Sequence, residues 1–305
     1  MYIESFKLIT GDTRSEDNKA HIISSIDRST YMTQALLKFT HTYMKSIKAK
    51  KGTKNAFLYP AGPVVHHSDG RNIGNLLSYS EIAIKSQAGL SLFTLAKRFP
   101  GIDFDYASIN GNTCASSLHS LHEAYDLIHN KNYDNVIIYA QDLVEKSQLL
   151  LFKQLGINIV CGDGVAAMHL TKEKTDNSIA EVLDTSWIFN NADTSPMSVS
   201  RDGYIKTLSE LNLGNVDYVK PHGTGTGRND IEEEQAIQEL FGDIKKFYYK
   251  KDIGHTQGAS AIIETCLVLD EMSSNETAVV IASGLGGFYG SAYIRKIWHK
   301  KAYSS

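Results

Sequence analysis

The sequence predicts an α/β fold built from two similar halves. Strand-like runs alternate along the chain with amphipathic runs of helical length, and such connections imply largely parallel sheets with helices on their faces. A polar segment, TKEKTDN at residues 171–177, separates two sets of strands of similar order. We therefore expect a duplicated α/β unit, with an N-terminal half at residues 1–172 and a C-terminal half at residues 178–305.

Ten runs have the composition of β-strands, because they are rich in β-branched and aromatic residues and are bounded by turn-forming residues. In chain order they are ESFKLIT, TKNAFLY, IDFDYASI, NVIIYA, GVAAMHLT, SIAEVLDTSWI, NVDYVK, KKFYY, TAVVIASG and SAYIRKIW. Helical patterns lie between these runs, at about residues 29–48, 74–97, 114–129, 200–212, 230–241 and 258–272.

Composition and charge exclude several classes of function. A chain of 305 residues with 42% hydrophobic and 21% charged residues can bury a large core. The formal net charge of -3 gives no electrostatic footprint for nucleic acid. The first residues lack the pattern of a signal peptide, and no apolar run approaches the roughly 20 residues of a membrane span. We expect a cytoplasmic protein that binds neither nucleic acid nor membranes.

The residue types that ligate metals are sparse and scattered. The three cysteines, at positions 114, 161 and 266, cannot form a disulfide framework, and no CxxC pair suggests zinc. The segment HHSDG contains His66, His67 and Asp69, but adjacent side chains need not converge on one ion. A polar loop is the favoured interpretation there, and no metal is expected.

Cys114 lies where a strand-like run gives way to a helical one. Leu118, Leu121, Tyr125 and Ile128 follow it at helical spacing, so the cysteine belongs to the first turn of an amphipathic helix. Unpaired N–H groups and the helix dipole can lower a thiol pKa to roughly 3.5–7.5 in such a position, which predicts a thiolate at neutral pH. On this segment alone a buried, inert cysteine is the more frequent outcome.

The segment VDYVKPHGTGTGRNDIEEEQAI places His222 at the end of a strand, followed by a Gly/Thr loop. Asp230 then begins an acidic helix start, which suits the positive end of a helix. The glycines do not form a dinucleotide-binding loop, because Arg228 occupies the position that GxGxxG requires as glycine.

A second segment, FYYKKDIGHTQGASAIIETCLVLDEM, repeats the pattern of strand, turn and helix around His255. Lys250 lies five residues before this histidine and Glu264 nine residues after it. A single histidine of this kind is more often a satisfied turn residue. Two histidines, each next to glycine and each at a strand-to-helix switch, favour a functional site.

The segment VVIASGLGGFYGSAYIRK contains a glycine-rich turn between two strands, with Gly284, Gly286 and Gly287. A bare backbone of this kind can offer N–H groups to a developing oxyanion. The alternative interpretation is a tight hairpin turn without a chemical role.

Together the motifs NTCASSL, KPHGTGTGRNDIEEEQA, KKDIGHTQGASA and GLGG resemble, in this order, those of the β-ketoacyl synthases. These are condensing enzymes of fatty-acid and polyketide assembly. The resemblance covers roughly residues 104–292, and CGDGVAAMHL is similar to the family's small-residue strand motif. It implies a thiolase-like fold, in which two βαβαβαββ halves form a layered α-β-α-β-α sandwich.

The resemblance also implies a role for each motif residue. Cys114 corresponds to the acyl-accepting nucleophile, His222 and His255 to the pair that drives decarboxylation, and Lys250 to the lysine that orders the site, paired with Glu264. The remaining implied positions are the oxyanion-hole N–H groups of Cys114 and Leu285 and the substrate-binding residues Thr224, Thr226, Leu285, Gly286 and Gly287. Cys161 and Cys266 are then structural.

No bound cofactor is implied, since acyl groups arrive on the phosphopantetheine of an acyl carrier protein or on coenzyme A. The expected partners are that carrier protein and a second ketosynthase-like chain, identical or different, in a dimer. The chain would be an unusually short member of the family. Two motif positions differ from the family pattern. Leu285 occupies the place where most elongating members have a gating phenylalanine, and the segment GTGRND departs from the glycine that is usual before Asp230.

Three functional hypotheses follow. The first is acyl transfer to Cys114 and decarboxylative Claisen condensation with a malonyl thioester. The second is an acyltransferase that passes the acyl group to an amine, an alcohol or a carrier without forming a carbon–carbon bond. The third is a partner subunit similar to a chain-length factor, which the presence of Cys114, His222 and His255 disfavours.

Overall fold

The computed structural model describes residues 1–14, 20–24, 42–47, 49, 51–61, 96, 101–144, 149, 152–154, 156–191 and 199–297. Within these ranges lie thirteen β-strands and five α-helices with described bounds. The strands are β1 (Tyr2–Thr10), β2 (Thr13–Arg14), β3 (Ala20–Ile22), β4 (Asn55–Pro60), β5 (Tyr106–Asn110), β6 (Asn135–Asp142), β7 (Cys161–Gly162), β8 (Gly164–Thr171), β9 (Ala180–Phe189), β10 (Tyr218–Lys220), β11 (Lys245–Lys246), β12 (Thr277–Gly284) and β13 (Phe288–Lys296). The helices are α1 (Ser116–His129), α2 (Arg201–Ser209), α3 (Arg228–Phe241), α4 (Lys250–Ile253) and α5 (Ser260–Glu271).

All ten strands predicted from the sequence are confirmed. The additional strands β2, β3 and β7 have two or three residues each, which is too short to show a periodic pattern. The four helices predicted beyond residue 113 are also confirmed, with bounds shifted by a few residues. Most of the helices predicted at 29–48 and 74–97 lies outside the described residues, as does the HHSDG segment.

Ten of the described strands form one sheet in the order β11-β10-β12-β13-β9-β1-β8-β6-β4-β5. On either side of the β9/β1 contact the five strands follow the same order, with three parallel strands followed by two antiparallel ones. Strands β1 and β9 pair only at two positions, Tyr2 with Glu181 and Ile3 with Ala180. The predicted boundary at 172–178 falls between the last strand of one half and the first of the other, and the assignment of two halves within one compact unit stays a prediction.

The side chains of each strand alternate between an inner and an outer apolar layer. On β4, Ala56 and Leu58 face helices α1 and α5, whereas Phe57 and Tyr59 pack on the outer face with the helical residues near 42–47. Because successive side chains of a strand point to opposite faces, such fully apolar strands need cover on both sides.

The second half repeats this arrangement. Val280 of β12 faces the inner helices, while Val279 and Ile281 pack outward against helices α2 and α3. With the two five-strand halves of the sheet counted as separate layers, the order helix, sheet, helix, sheet and helix confirms the expected α-β-α-β-α sandwich. Burial of each large apolar side chain in these layers contributes roughly 1.5–3 kcal/mol.

The two inner helices begin next to each other. Each is preceded by a 3₁₀ turn, Thr113–Ala115 before α1 and Gln257–Ala259 before α5. The hydroxyl of Ser117 donates a hydrogen bond to the carbonyl of Gly258, so the two entrances touch. The residues predicted to be functional lie around this point of contact.

Helix length and apolarity also bear on the membrane prediction. Among the residues that the structure describes, no helix combines the length and the apolarity required to cross a bilayer.

Gly254 permits a close backbone approach that should not tolerate a side chain. Its φ is 76°, and a Cβ there would overlap the backbone of Cys161 and Gly162. We expect Gly254→Ala to lower the free energy of unfolding by more than about 3 kcal/mol, since backbone displacement adds to left-handed strain. Urea denaturation followed by circular dichroism measures this difference.

Gly52 provides the matched control, because it also has a positive φ, 84°, but a Cβ added there would meet no atom within 4 Å. We expect Gly52→Ala to cost only the conformational strain, about 1–2 kcal/mol. Equal losses in the two variants would contradict the close-packing argument.

Candidate active site

Cys114 lies in the 3₁₀ turn between β5 and α1, and its side chain is buried. Its Sγ is 3.1 Å from Nε2 of His255 and 3.6 Å from Oε1 of Gln257. The nearest ligand-type atoms of Cys114, His222 and His255 all lie within 4.8 Å of one another. The structure therefore brings together the three residues that the sequence predicted as a catalytic set.

His255 is fixed through its backbone by the segment around β7. Its N–H donates to the carbonyl of Val160 at 2.7 Å, and its carbonyl accepts from the N–H of Gly162 at 3.0 Å. Its ring Nδ1 lies 2.9 Å from the Ser260 hydroxyl. These contacts leave Nε2 directed at the Cys114 sulfur.

His222 follows the end of β10 and is also held through its backbone. Its N–H donates to the Glu233 carboxylate at 2.6 Å, and Lys250 Nζ donates to its carbonyl at 2.5 Å. Its ring lies edge-on to that of His255, with a centroid separation of 5.3 Å. The two imidazoles thus face the same space beside the thiol.

A cluster of buried charges lies behind His222. Lys250 Nζ pairs with Oε1 of Glu264 at 2.6 Å, and Lys220 Nζ pairs with Oε2 of the same carboxylate. All three side chains are almost fully buried. The Lys250–Glu264 pair predicted from the motif is confirmed as a contact, and Lys220 is an additional member.

Sequence reasoning missed Lys220, Glu233 and Gln257. Lys220 ends an otherwise apolar strand next to a predicted functional histidine, and this position was the available signal. Glu233 belongs to an acidic run that is typical of a solvated helix start, so nothing local indicated that its carboxylate binds the His222 and Gly223 N–H groups.

Burial determines the protonation of both histidines. Loss of solvation, reinforced by the neighbouring Lys250 and Lys220, lowers the pKa of His222 and of His255 well below the ordinary value. Burial also lowers the pKa of Lys250 to about 8 and raises that of Glu233 to about 7. Both imidazoles are therefore neutral at physiological pH.

The expected fall in the Cys114 pKa is not found, and the prediction of a thiolate from the helix position was wrong. Burial raises the pKa of this thiol to about 12, and the opposing influence of Lys250 is smaller. The reason is that the side chain is largely removed from solvent, whereas the helix dipole acts through the end of a turn that precedes α1. The thiol is neutral and must pass its proton to a base when it reacts.

The trio opens into a cavity of about 480 Å³. Among the predicted substrate-binding residues, Thr224, Thr226 and Leu285 line this cavity, whereas Gly286 and Gly287 are not among its lining residues. Lys250 instead lines a groove of about 730 Å³ that shares Asn158, Thr224 and Gly225 with this cavity.

Gly284 lets the end of β12 approach the Cys114 turn. A Cβ at this position would overlap the Thr113 hydroxyl and the Asn112 carbonyl. Thr113 Oγ1 donates to the Leu285 carbonyl at 3.4 Å. The backbones of Cys114 and Leu285 thus border the same cavity, and their role as an oxyanion hole stays a prediction.

Comparisons with known proteins agree with this geometry. Residues 203–281 match the family model of the C-terminal domain of β-ketoacyl synthases. This part of the chain is therefore similar to the β-ketoacyl synthases. The hybrid PKS-NRPS synthetase pynA of Aspergillus niger is 29% identical over 181 residues, which is 52% of this chain and 5% of that protein.

Solved structures of ketosynthases show the same fold over nearly the whole chain. The ishigamide ketosynthase/chain length factor matches with a TM-score of 0.74 at 16% identity, over 97% of this chain and 99% of that chain. The type II PKS ketosynthase AntDE, solved with its acyl-carrier protein AntF, matches with a TM-score of 0.75 at 15% identity and the same coverage. The fold is therefore the thiolase fold of the ketosynthases.

The Glu264 carboxylate should be essential for stability. Glu264→Gln leaves two buried amino groups without their shared anion, so we expect a loss of about 3–5 kcal/mol in the free energy of unfolding. Adding Lys220→Met to this variant should recover part of the loss. Chemical denaturation of the single and double variants measures both effects.

The partly exposed pair of Glu181 and Arg295 provides the control. Glu181→Gln should cost less than about 1 kcal/mol, because solvent screens this pair. A Glu264→Gln variant as stable as Glu181→Gln would show that the buried cluster does not depend on its carboxylate.

The raised thiol pKa predicts a distinctive pH dependence of alkylation. Because the pKa of Cys114 is about 12, only a small thiolate fraction exists at pH 7. The rate of iodoacetamide modification should rise about tenfold per pH unit from pH 7 to 9. Mass spectrometry of wild type and Cys114→Ala assigns the adduct, and a plateau below pH 8 would support the thiolate that burial disfavours.

Proposed function

We propose that the chain is a condensing enzyme that accepts an acyl group on Cys114 and couples it to a malonyl thioester with loss of CO₂. The observation that carries this proposal is the distance of 3.1 Å between the Cys114 sulfur and His255 Nε2, beside His222, in a cavity. A thioester requires a soft nucleophile, and an acyl-enzyme divides one difficult step into two easier ones.

In the first step, the Cys114 sulfur attacks the carbonyl carbon of the incoming thioester. The thiol proton passes to His255 Nε2, since this imidazole is neutral and the thiol is not ionised beforehand. The carbon–sulfur bond to the carrier then breaks, and the departing carrier thiolate takes up the proton. The products are acyl-Cys114 and the free thiol of the carrier.

In the second step, the malonyl thioester loses CO₂, and the electron pair of the broken carbon–carbon bond forms an enolate. N–H groups of the neutral imidazoles of His222 and His255 donate hydrogen bonds to the enolate oxygen. The enolate carbon attacks the acyl-Cys114 carbonyl, the Cys114 thiolate leaves, and a proton from solvent restores the thiol. The product is a β-ketoacyl thioester.

The Ser260 hydroxyl allows His255 to serve both steps. When Nδ1–H donates to this hydroxyl, Nε2 accepts the Cys114 proton. When the hydroxyl donates to Nδ1, Nε2 carries a hydrogen and donates to a substrate oxygen. The distance of 2.9 Å between Nδ1 and Oγ suits either direction of the hydrogen bond.

The partners of the proposed reaction follow from its chemistry. The acyl and malonyl groups would be carried on the phosphopantetheine of an acyl carrier protein, and a carrier is present in the AntDE:AntF complex. The curated relatives are polyketide synthases, which favours a polyketide-type pathway. The chain spans only 5% of the length of these two relatives. We also propose a dimer, with a second copy or another ketosynthase-like chain.

Sulfur and imidazole nitrogens are also donors that zinc prefers, and the trio is compact enough to bind one ion. The proposal assigns no metal. A chelator should therefore leave acyl loading and CO₂ release unchanged, whereas loss of either activity would indicate a metal role.

The central experiment is incubation with acyl carrier thioesters of several chain lengths, with and without malonyl-carrier. Intact-mass analysis should show one acyl adduct on wild type and none on Cys114→Ala. CO₂ release should fall by on the order of 10²-fold or more in His222→Ala, because a donor to the enolate is lost.

Each alternative predicts a different result. Acyl loading without malonyl consumption, followed by transfer to an amine or alcohol, would replace the condensing function by simple acyl transfer. Absence of any adduct on wild type would overturn both enzymatic functions and favour a partner subunit similar to a chain-length factor.

A further inference from the structure

Gln257 occupies an unusual position beside the thiol. Its side chain is almost fully buried, lines the cavity that contains Cys114, His222 and His255, and accepts a hydrogen bond from the Cys114 thiol through Oε1 at 3.6 Å. Within the part of the chain that the structure describes, its Nε2 has no hydrogen-bond partner. A buried amide donor is costly to leave unsatisfied, so this nitrogen marks a place where a ligand oxygen is favoured.

The backbone at this position is held in an uncommon conformation. Gln257 has a φ of 43°, in the left-handed region that favours glycine, and it opens the 3₁₀ turn before α5. Thr113 begins the corresponding turn before α1 with a φ of 54°. Such strain persists where surrounding structure imposes it, and here it fixes an amide side chain against the nucleophile.

Several other polar groups of the cavity wall have protein partners, whereas His222 Nδ1, like Gln257 Nε2, has none among the described residues. Thr224 and Thr226 hydrogen-bond each other at 2.6 Å, and Ser283 bonds the Tyr204 hydroxyl at 2.7 Å. Arg228, at the exposed start of α3, lies 3.9 Å from Glu232. Gln257 Nε2 differs from these partnered groups because it is buried and unpartnered, and it differs from the His222 ring nitrogen because an amide nitrogen always donates.

A malonyl thioester has more oxygen atoms than the two imidazoles can bind. In the proposed function, His222 and His255 donate to the thioester carbonyl, which leaves the carboxylate without a donor. Nε2 of Gln257 has no partner among the described residues, so it is available to the second substrate, whereas Oε1 loses its thiol donor once Cys114 is acylated.

We propose that Gln257 Nε2 donates a hydrogen bond to the carboxylate of the carboxylated thioester and thereby selects it over uncarboxylated thioesters. This inference rests on the proposed function for the identity of the ligand. A neutral amide orients the carboxylate without the full attraction of a cation, so it stabilises the departing group less in the ground state.

Binding of stable analogues tests the proposal without any turnover. The probes are pantetheine derivatives of malonate and of acetate in which NH replaces the thioester sulfur, so that neither can acylate Cys114. Calorimetry should show that wild type binds the malonyl analogue at least about tenfold more tightly than the acetyl analogue, the value expected for one hydrogen bond to a charged group. Equal affinities in wild type, or no binding of either probe, would overturn the proposal.

Two substitutions locate the selectivity. Gln257→Met keeps the length of the side chain but removes the donor, and it should abolish the preference while leaving acetyl-analogue affinity within about twofold. Asparagine adopts the left-handed backbone readily, and its shorter side chain places the amide donor farther from the ligand. Gln257→Asn should therefore also abolish the preference for the malonyl analogue, even if the Met variant folds poorly. An equal loss of affinity for both probes would instead indicate a structural role.

Gln238, exposed on α3, provides the matched control, because Gln238→Met makes the same chemical change away from the cavity. It should retain the wild-type preference. The acyl-adduct and CO₂ measurements are made separately on wild type, so failure of the condensing function is distinguishable from failure of the carboxylate contact.

Discussion

The contact between the entrances of the two inner helices determines the geometry of the site. The Ser117 hydroxyl bonds the Gly258 carbonyl, and Ala115 and Ala259 beside them are fully buried. Only side chains of this size allow the two turns to touch. Because each entrance belongs to a different half of the fold, their contact brings Cys114 of one half to the histidines of the other.

The buried charges behind His222 fix its backbone from two directions. Glu233 binds its N–H group and Lys250 its carbonyl, while Glu264 holds Lys250 and Lys220 in place. Burial of such groups costs desolvation energy that their mutual attraction only partly offsets. The cluster is therefore better understood as a means of orientation than as a source of net stability.

The sequence predicted what depends on local pattern and missed what depends on tertiary burial. Strand periodicity predicted all ten strands of the large sheet, and the ordered motifs pointed to Cys114, both histidines and the Lys250–Glu264 pair, which the structure brings together. The direction of the Cys114 pKa shift required knowledge of how deeply the helix entrance is covered. Glu233 likewise looks the same in sequence as its acidic neighbours. Its bond with the His222 N–H group forms only because the fold brings the end of β10 next to α3.

The neutrality of the trio has a consequence for chemistry on a carboxylated substrate. A protonated His222 or His255 would attract the substrate carboxylate as an ion pair, and this would stabilise the ground state more than the transition state in which CO₂ departs. Burial opposes that protonation by lowering both imidazole pKa values, and the neighbouring Lys250 reinforces the effect. In the proposed function, the neutral donors reserve their hydrogen bonds for the developing enolate.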